Sequence, residues 1–213
     1  HLCDRRQRQM CIRDRYKTEV YSIMYFLELV GCIVGLVYLW LEYKASIYFW
    51  PVSIIMPAIY MVVYYNAGLY ADFGINIYFM LASIYGWIMW YKGRKVSSES
   101  SVIEMPVTHL NMSYLAVMAL VFIVLLITIS FILIEYTDSN VPWIDSFTTA
   151  LSVIALWMLS RKYVEQWLVW IVVDMVSCGL YVYKSLYFTA VLYLVYSIIA
   201  WAGYKKWKSM MYE

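Results

Sequence analysis

Apolar residues fill seven long runs of this chain, and short polar segments separate one run from the next. The runs cover residues 21–41, 47–65, 69–90, 113–134, 143–159, 164–183 and 186–204. Each run is close to the roughly 20 residues that a helix needs to cross the apolar core of a bilayer. The pattern therefore predicts an all-α membrane protein with seven transmembrane helices in one polytopic domain.

The second half of the chain repeats the first half at a constant spacing of 117 residues, without a gap. The residues that match include Trp40 and Trp157, Trp50 and Trp167, Tyr64 and Tyr181, Gly86 and Gly203, and Trp90 and Trp207. Internal repeats in an apolar chain are typical of transporters. The repeat therefore indicates a function as well as an architecture.

The repeat also predicts how the helices are arranged. Helices one to three match helices five to seven, and three crossings leave the chain on the opposite face of the membrane. A second copy in the same orientation needs one more crossing, which residues 113–134 supply. We therefore expect a three-plus-one-plus-three layout with two parallel three-helix repeats. The expected segments are residues 16–91, a loop and linker helix at 92–135, and residues 136–213.

The first fifteen residues differ from the rest of the chain. They are rich in arginine and lack the apolar stretch that a secretory signal carries after its basic segment. We expect residues 1–15 to be a non-native or disordered leader, and a basic arm at the membrane surface is the alternative.

Basic residues near the helix ends predict the orientation, because they concentrate on the cytoplasmic side. One face collects Lys44, Lys92, Arg94, Lys95, Arg161, Lys162, Lys205, Lys206 and Lys208. The opposite face carries two lysines and several acidic residues. We therefore expect the N-terminus to lie outside and the C-terminus to lie in the cytoplasm.

The sixth helix carries the strongest candidate site. Trp167, Trp170 and Asp174 are spaced i, i+3 and i+7, and Ser177 and Tyr181 continue the same helical face. A carboxyl deep in a bilayer is costly unless it faces a cavity or a partner. Indole faces attract cations and stack on aromatic rings. The stripe therefore suits a flat, cationic, hydroxylated ligand, and the alternative is that these residues only pack or bond neighbouring helices.

Three further polar residues could line the same site. Asn76 lies inside the third helix, and its repeat partner at a spacing of 117 is Tyr193. Tyr193 and Tyr196 follow on the seventh helix. Asn76 is equally compatible with a hydrogen bond between helices, and either tyrosine is equally compatible with simple packing.

Several classes of function are excluded by missing motifs. The sequence has no P-loop, HExxH or GxSxG motif, and its four cysteines and two histidines form no metal-binding pattern. The seventh helix has no central lysine for a retinal Schiff base. We therefore expect no catalytic residues, no metal and no cofactor. Of the classes of function considered, a passive or weakly coupled carrier is the one that is not excluded.

Three stretches resemble the PnuC family of bacterial vitamin-precursor transporters, best known for nicotinamide riboside. They are ELVGCIVGLVYLWLEYKASIYFWP at 28–51, LYADFGINIYFMLASIYGWIMW at 69–90 and DSFTTALSVIALWMLSRKYVEQWLVWIVVDMVSCGLYVYKSLYFTAVLYLVY at 145–196. The resemblance implies a seven-helix, SWEET-like fold in the bacterial inner membrane. It also implies facilitated diffusion of nicotinamide riboside, with trapping by a cytosolic kinase.

The resemblance implies site residues and partners as well. The WxxW of the family's sixth helix falls on Trp167 and Trp170, and polar side chains of the third helix contribute to the site. Family members commonly have glutamine where this chain has Asn76, so thiamine or riboflavin stays open as the substrate. The resemblance also implies a homotrimer in the lipid bilayer. We expect no nucleic-acid partner. A non-transporting membrane interaction protein is the alternative from another class.

Overall fold

The computed structural model describes residues 34, 37–67, 70–96, 102–137, 140–185 and 187–212. The chain divides into two compact units, residues 1–40 and residues 41–213. In the first unit the described residues are all helical. The predictions for the leader at 1–15 and for most of the first membrane span therefore lie outside the described residues.

The second unit is built almost entirely of helices. Its first three residues, 41–43, end a helix that we label α1. The helices that follow are α2 (Phe49–Ala67), α3 (Tyr70–Lys92), α4 (Leu115–Tyr136), α5 (Pro142–Ser160), α6 (Gln166–Tyr183) and α7 (Tyr187–Met210). The prediction of an all-α protein is confirmed, and the loop before α4 adds one antiparallel ribbon of β1 (Lys95–Val96) and β2 (Val102–Ile103).

Four of the described helices are long and apolar enough to cross a membrane. They span Phe73–Lys92, Met112–Tyr136, Pro142–Ser160 and Gln166–Tyr183, and Phe49–Val62 is a shorter apolar helix. α4 has 22 residues, which at about 1.5 Å per residue cover about 33 Å and match the apolar thickness of a bilayer. Ser130 is the only buried residue of α4, so most of the apolar surface of this helix is left uncovered by the helices around it.

The helices pack in two similar pairs around α5. α2 lies along α3, and α6 lies along α7. α5 contacts α3 on one side and α6 on another, and it also supports α4. The paired helices begin 117 residues apart, since α2 starts at Phe49 and α6 at Gln166, whereas α3 starts at Tyr70 and α7 at Tyr187.

The turn before each pair has the same backbone geometry. Ala45 and Lys162, again 117 residues apart, have φ values of 51° and 55°, in the left-handed region that non-glycine residues rarely adopt. The backbone N–H of Ala45 donates to the carbonyl of Glu42, and that of Lys162 donates to Leu159, each at 2.9 Å. The sequence spacing therefore corresponds to a repeated local structure.

Candidate substrate-binding site

Four tryptophans form two equivalent pairs at one end of the helices. Trp50 meets Trp90 edge to face with ring centroids 5.4 Å apart, and Trp167 meets Trp207 in the same way at 5.6 Å. All four side chains are almost completely buried. Trp90 and Trp207 also lie close to each other, with centroids 6.3 Å apart, so the two pairs make one aromatic cluster.

A glycine lets each of the first two tryptophans approach the neighbouring helix. A Cβ atom added at Gly86 would lie 2.0 Å from the Trp50 ring, and one added at Gly203 would lie 2.7 Å from the Trp167 ring. Real Cβ contacts are never this short, so only glycine fits at either place. The repeated glycines in the sequence therefore serve close packing of the repeated tryptophans.

Two crossed hydrogen bonds join the repeats at this cluster. Trp90 Nε1 donates to the carbonyl of Leu159 at 3.1 Å, and Trp207 Nε1 donates to the carbonyl of Glu42 at 3.0 Å. Donors and acceptors are both related by the spacing of 117 residues. Each repeat therefore donates to the same position of the other repeat.

Basic residues surround the same end of the helices. The Nζ atom of Lys162 lies 4.2 Å from the centroid of a Trp90 ring and 3.5 Å from Glu104 Oε2. Burial lowers the pKa of the Lys162 ammonium from its usual 10.5 to about 8, although the charge of Glu104 opposes this shift. The lysine therefore lies buried in the loop between α5 and α6, against the Trp90 ring.

Replacing Lys162 by methionine is expected to remove a pH dependence of stability. Between about pH 8 and pH 10.5 the unfolded chain holds the Lys162 proton that the folded chain has released, so the stability of the wild-type protein should rise with pH in this window. Thermal unfolding in detergent across that window tests this. Wild-type and Lys162→Met curves that shift in parallel with pH would contradict the prediction.

The stripe of α6 that the sequence singled out is buried at Trp167, Asp174 and Ser177 and partly exposed at Trp170 and Tyr181. Asp174 and Ser177 are each 7% exposed. The side-chain nitrogen of Trp170 is also buried and has no hydrogen-bond acceptor among the described residues. A carboxyl, a hydroxyl and an indole N–H thus face the interior. The indole N–H makes no hydrogen bond that would explain its burial by structure alone.

Tyr181 continues this polar face towards the other end of α6, and two tyrosines of α7 lie against it. Tyr181 stacks on Tyr193 with centroids 5.1 Å apart and planes inclined by 19°. Tyr196 meets Tyr193 edge to face at 5.9 Å. Asp174 lies within electrostatic range of Tyr193. The structure therefore brings the three predicted tyrosines together across α6 and α7, with Tyr193 as the one that interacts with Asp174.

Two predicted site residues are placed differently. Asn76 is buried, at 8% exposure, on α3, which packs against α2 and α5 rather than along α6. Trp167 belongs to the aromatic cluster, where it repeats the contacts of Trp50. Its side-chain nitrogen lacks a described acceptor, as does that of Trp50, so its surroundings match those of its repeat partner.

A buried polar contact escaped the sequence reasoning. Gln166 Nε2 donates to Glu42 Oε1 at 3.3 Å, and these residues are 0% and 4% exposed. Glu42 is within electrostatic range of Asp174. The spacing of Gln166, Trp170 and Asp174 at i, i+4 and i+8 was the available signal for Gln166. The sequence signal for Glu42 was weaker, because the residue at the equivalent position of the other repeat is the apolar Leu159 and no polar pattern repeats there.

Comparison with known proteins gives a consistent result. The family model described as nicotinamide mononucleotide transporter matches residues 25–209. The nicotinamide riboside transporter PnuC of Escherichia coli strain K12 is 25% identical over 204 residues, which cover 85% of this chain and 84% of the relative. The riboflavin/roseoflavin transporter RibM of Streptomyces davaonensis is 25% identical over 181 residues, which cover 84% of this chain and 83% of the relative.

A solved structure supports the fold. The crystal structure of the vitamin B3 transporter PnuC matches with a TM-score of 0.64 at 21% identity, and the match covers 86% of this chain and 80% of that chain. The family and this structural relative are transporters, which confirms the prediction that the chain is not an enzyme. The resemblance to PnuC proteins is likewise confirmed. Because the family model matches nearly the whole sequence, the chain belongs to the nicotinamide mononucleotide transporter family.

Proposed function

We propose that this chain carries a vitamin precursor, most plainly nicotinamide riboside, across a bacterial inner membrane by facilitated diffusion. Asp174 carries this proposal: a buried carboxyl inside an apolar helix, beside an indole N–H that has no described acceptor. Nicotinamide riboside offers a flat pyridinium ring and ribose hydroxyls, which suit these two groups. Family membership and the Escherichia coli relative give the same substrate class.

Each site residue has a role in this proposal. Asp174 pairs with the positive ring, and Trp170 stacks on it while its N–H meets a hydroxyl or amide oxygen. Tyr193, stacked on Tyr181, forms the aromatic wall on α7, and Tyr196 continues that wall. This arrangement resembles other sites that bind flat cations between aromatic faces.

Two further predicted residues act from the sides of the site. Asn76 supplies a hydrogen-bonding amide from α3. Trp167 holds the start of α6 in place through Gly203 and Trp207, and so it positions Trp170 one turn further along the helix.

The three-plus-one-plus-three layout is part of the same proposal, with repeats at residues 16–91 and 136–213 and the loop and linker helix at 92–135. The repeated turns at Ala45 and Lys162 and the crossed bonds of Trp90 and Trp207 support it. Such repeats carry substrate by rocking around a shared site. This rocking opens the site to one side of the membrane at a time.

Orientation and partners complete the proposal. The basic residues near Trp90 and Trp207 support a cytoplasmic location for that end by the positive-inside rule, and in this proposal the N-terminus lies outside and the C-terminus inside. A cytosolic kinase then phosphorylates the vitamin that has entered the cell, and this trapping drives net uptake. A homotrimer would cover part of the exposed apolar surface of α4.

Riboflavin is the second candidate substrate, because the Streptomyces davaonensis relative is a riboflavin/roseoflavin transporter at the same identity. Riboflavin is neutral and larger than nicotinamide riboside, so it makes less use of Asp174. Thiamine is cationic and fits the same groups as nicotinamide riboside.

The substrate is tested by tryptophan fluorescence of the purified protein, titrated separately with nicotinamide riboside and thiamine. Saturable quenching by nicotinamide riboside, together with its saturable uptake into vesicles, is the expected result. Saturation by thiamine alone would reassign the substrate, and riboflavin uptake alone would favour the second candidate. Protein that stays folded and shows no saturable uptake of any of the three would indicate a non-transporting interaction protein instead.

A further inference from the structure

Glu42 and Gln166 occupy a place where the fold itself accepts apolar residues. The positions related to them by the repeat are Leu159 and Phe49, and both are 0% exposed. Glu42 belongs to the first repeat and Gln166 to the second, so the polar pair lies between the repeats. At the positions that the repeat relates to them, the same fold has two apolar side chains. The surrounding backbone is the same in both halves, with matching turns and matching helix starts.

A buried polar pair needs a reason to persist here. Replacing such a pair by well-packed apolar residues is often neutral or stabilising, and Leu159 and Phe49 demonstrate that apolar residues fit. The pair is also incompletely satisfied, because Gln166 Oε1 is buried and receives no hydrogen bond from the described residues. An oxygen in that condition is available to a ligand.

The pair adjoins the site on α6. Gln166, Trp170 and Asp174 follow one another at successive turns of one face, and Glu42 lies within electrostatic range of Asp174. In the part of the chain that the structure describes, no lysine or arginine forms an ion pair with Glu42 or Asp174. Two neighbouring buried acids without a cation repel each other when both are charged, and a bound cation would relieve this repulsion.

We propose that Glu42 and Gln166 form a second polar subsite beside Asp174, and that the two acids together select positively charged vitamin precursors. The inference rests on the proposed function and narrows its substrate class. The cationic ring lies between Asp174 and Glu42, and Gln166 Oε1 accepts a hydrogen bond from a hydroxyl or amino group of the ligand. Nicotinamide riboside and thiamine meet this requirement, whereas neutral riboflavin does not.

The test measures binding of radiolabelled nicotinamide riboside, thiamine and riboflavin to the purified full chain. Glu42→Gln removes the charge and keeps the shape and a hydrogen bond with Gln166. The double variant Glu42→Leu, Gln166→Phe installs the apolar residues found at the two positions that the repeat relates to them, Leu159 and Phe49. Glu135→Gln, at the exposed end of α4, is the matched control for loss of one carboxylate.

We expect Glu42→Gln to weaken binding of the cationic ligand by about tenfold or more, as for loss of one charge-assisted contact. The double variant should bind it even more weakly while its melting temperature stays at or above that of the wild type. Glu135→Gln should bind like the wild type. Should the double variant fail to fold, Glu42→Gln alone decides the matter.

Two failures are distinguishable. Wild-type protein that binds a vitamin with an affinity that Glu42→Gln leaves unchanged would overturn the subsite and leave the proposed function standing. Wild-type preference for riboflavin would do the same. Wild-type protein that binds none of the three vitamins would overturn the proposed function, and the subsite with it.

Discussion

Alanine at Gly86 or Gly203 is expected to destabilise the folded protein by about 1–3 kcal/mol, the usual cost of overpacking a core. The added Cβ would lie 2.0 Å from the Trp50 ring at the first position and 2.7 Å from the Trp167 ring at the second. Both indoles are buried against a second tryptophan, so they have little freedom to withdraw. Gly86→Ala should therefore have the larger effect, measured as a lower melting temperature in detergent.

Two other helical glycines supply matched controls. Nothing lies within 4 Å of a Cβ added at Gly74 or Gly179, and alanine in a helix interior is favoured over glycine by about 0.5–1 kcal/mol. Gly74→Ala and Gly179→Ala should therefore melt at or slightly above the wild-type temperature. Equal melting temperatures for all four variants would mean that the tryptophans move aside freely, and the packing account would fail.

The existence of the helices and the repeat register could be predicted from the sequence. Runs of apolar residues near bilayer length determine the helices, and identical tryptophans and glycines in register determine the spacing of 117. The structure adds the reason for those identities, since Gly86 and Trp50 meet and Gly203 and Trp167 meet. Helix starts at Phe49 and Gln166 follow the same register.

Features that depend on contacts distant in sequence could not be predicted. The hydrogen bond from Trp207 to Glu42 joins residues 165 positions apart, and the contact of Gln166 with Glu42 joins residues 124 apart. Neither acid–amide pairing nor indole–carbonyl pairing leaves a periodic signal in a membrane helix. The ribbon of β1 and β2 was missed for a different reason, because strands of two residues are too short to show alternation.

The candidate site was predicted best where one helix determines it. The face shared by Trp170, Asp174 and Tyr181 follows from helical spacing alone, and Asp174 is buried as expected. The tyrosine stack between α6 and α7 needed the tertiary structure to place Tyr193 opposite Tyr181. Trp167 shows the limit of motif reasoning, because its contacts are those of its repeat partner Trp50.

Replacing Asp174 by asparagine is expected to lower the affinity for nicotinamide riboside by about tenfold or more, because the pyridinium loses its nearest proposed counter-charge. The side chain keeps its size, so the melting temperature without ligand should fall little. Asp145→Asn is the matched control, since Asp145 lies on the first turn of α5, where it pairs with Lys184 at 3.9 Å, and is not among the proposed ligand contacts. That variant should bind the vitamin like the wild type.

The alternative role of Asp174, a hydrogen bond that holds neighbouring helices together, predicts the opposite division of effects. Asparagine would then lower the melting temperature and leave the affinity of the folded fraction unchanged. Trp170→Phe provides an independent measure, because it keeps an aromatic face but removes the indole N–H that has no described acceptor. Weaker binding in both variants, with nearly unchanged stability, is the result that a substrate site on α6 requires, since a packing role loses stability first.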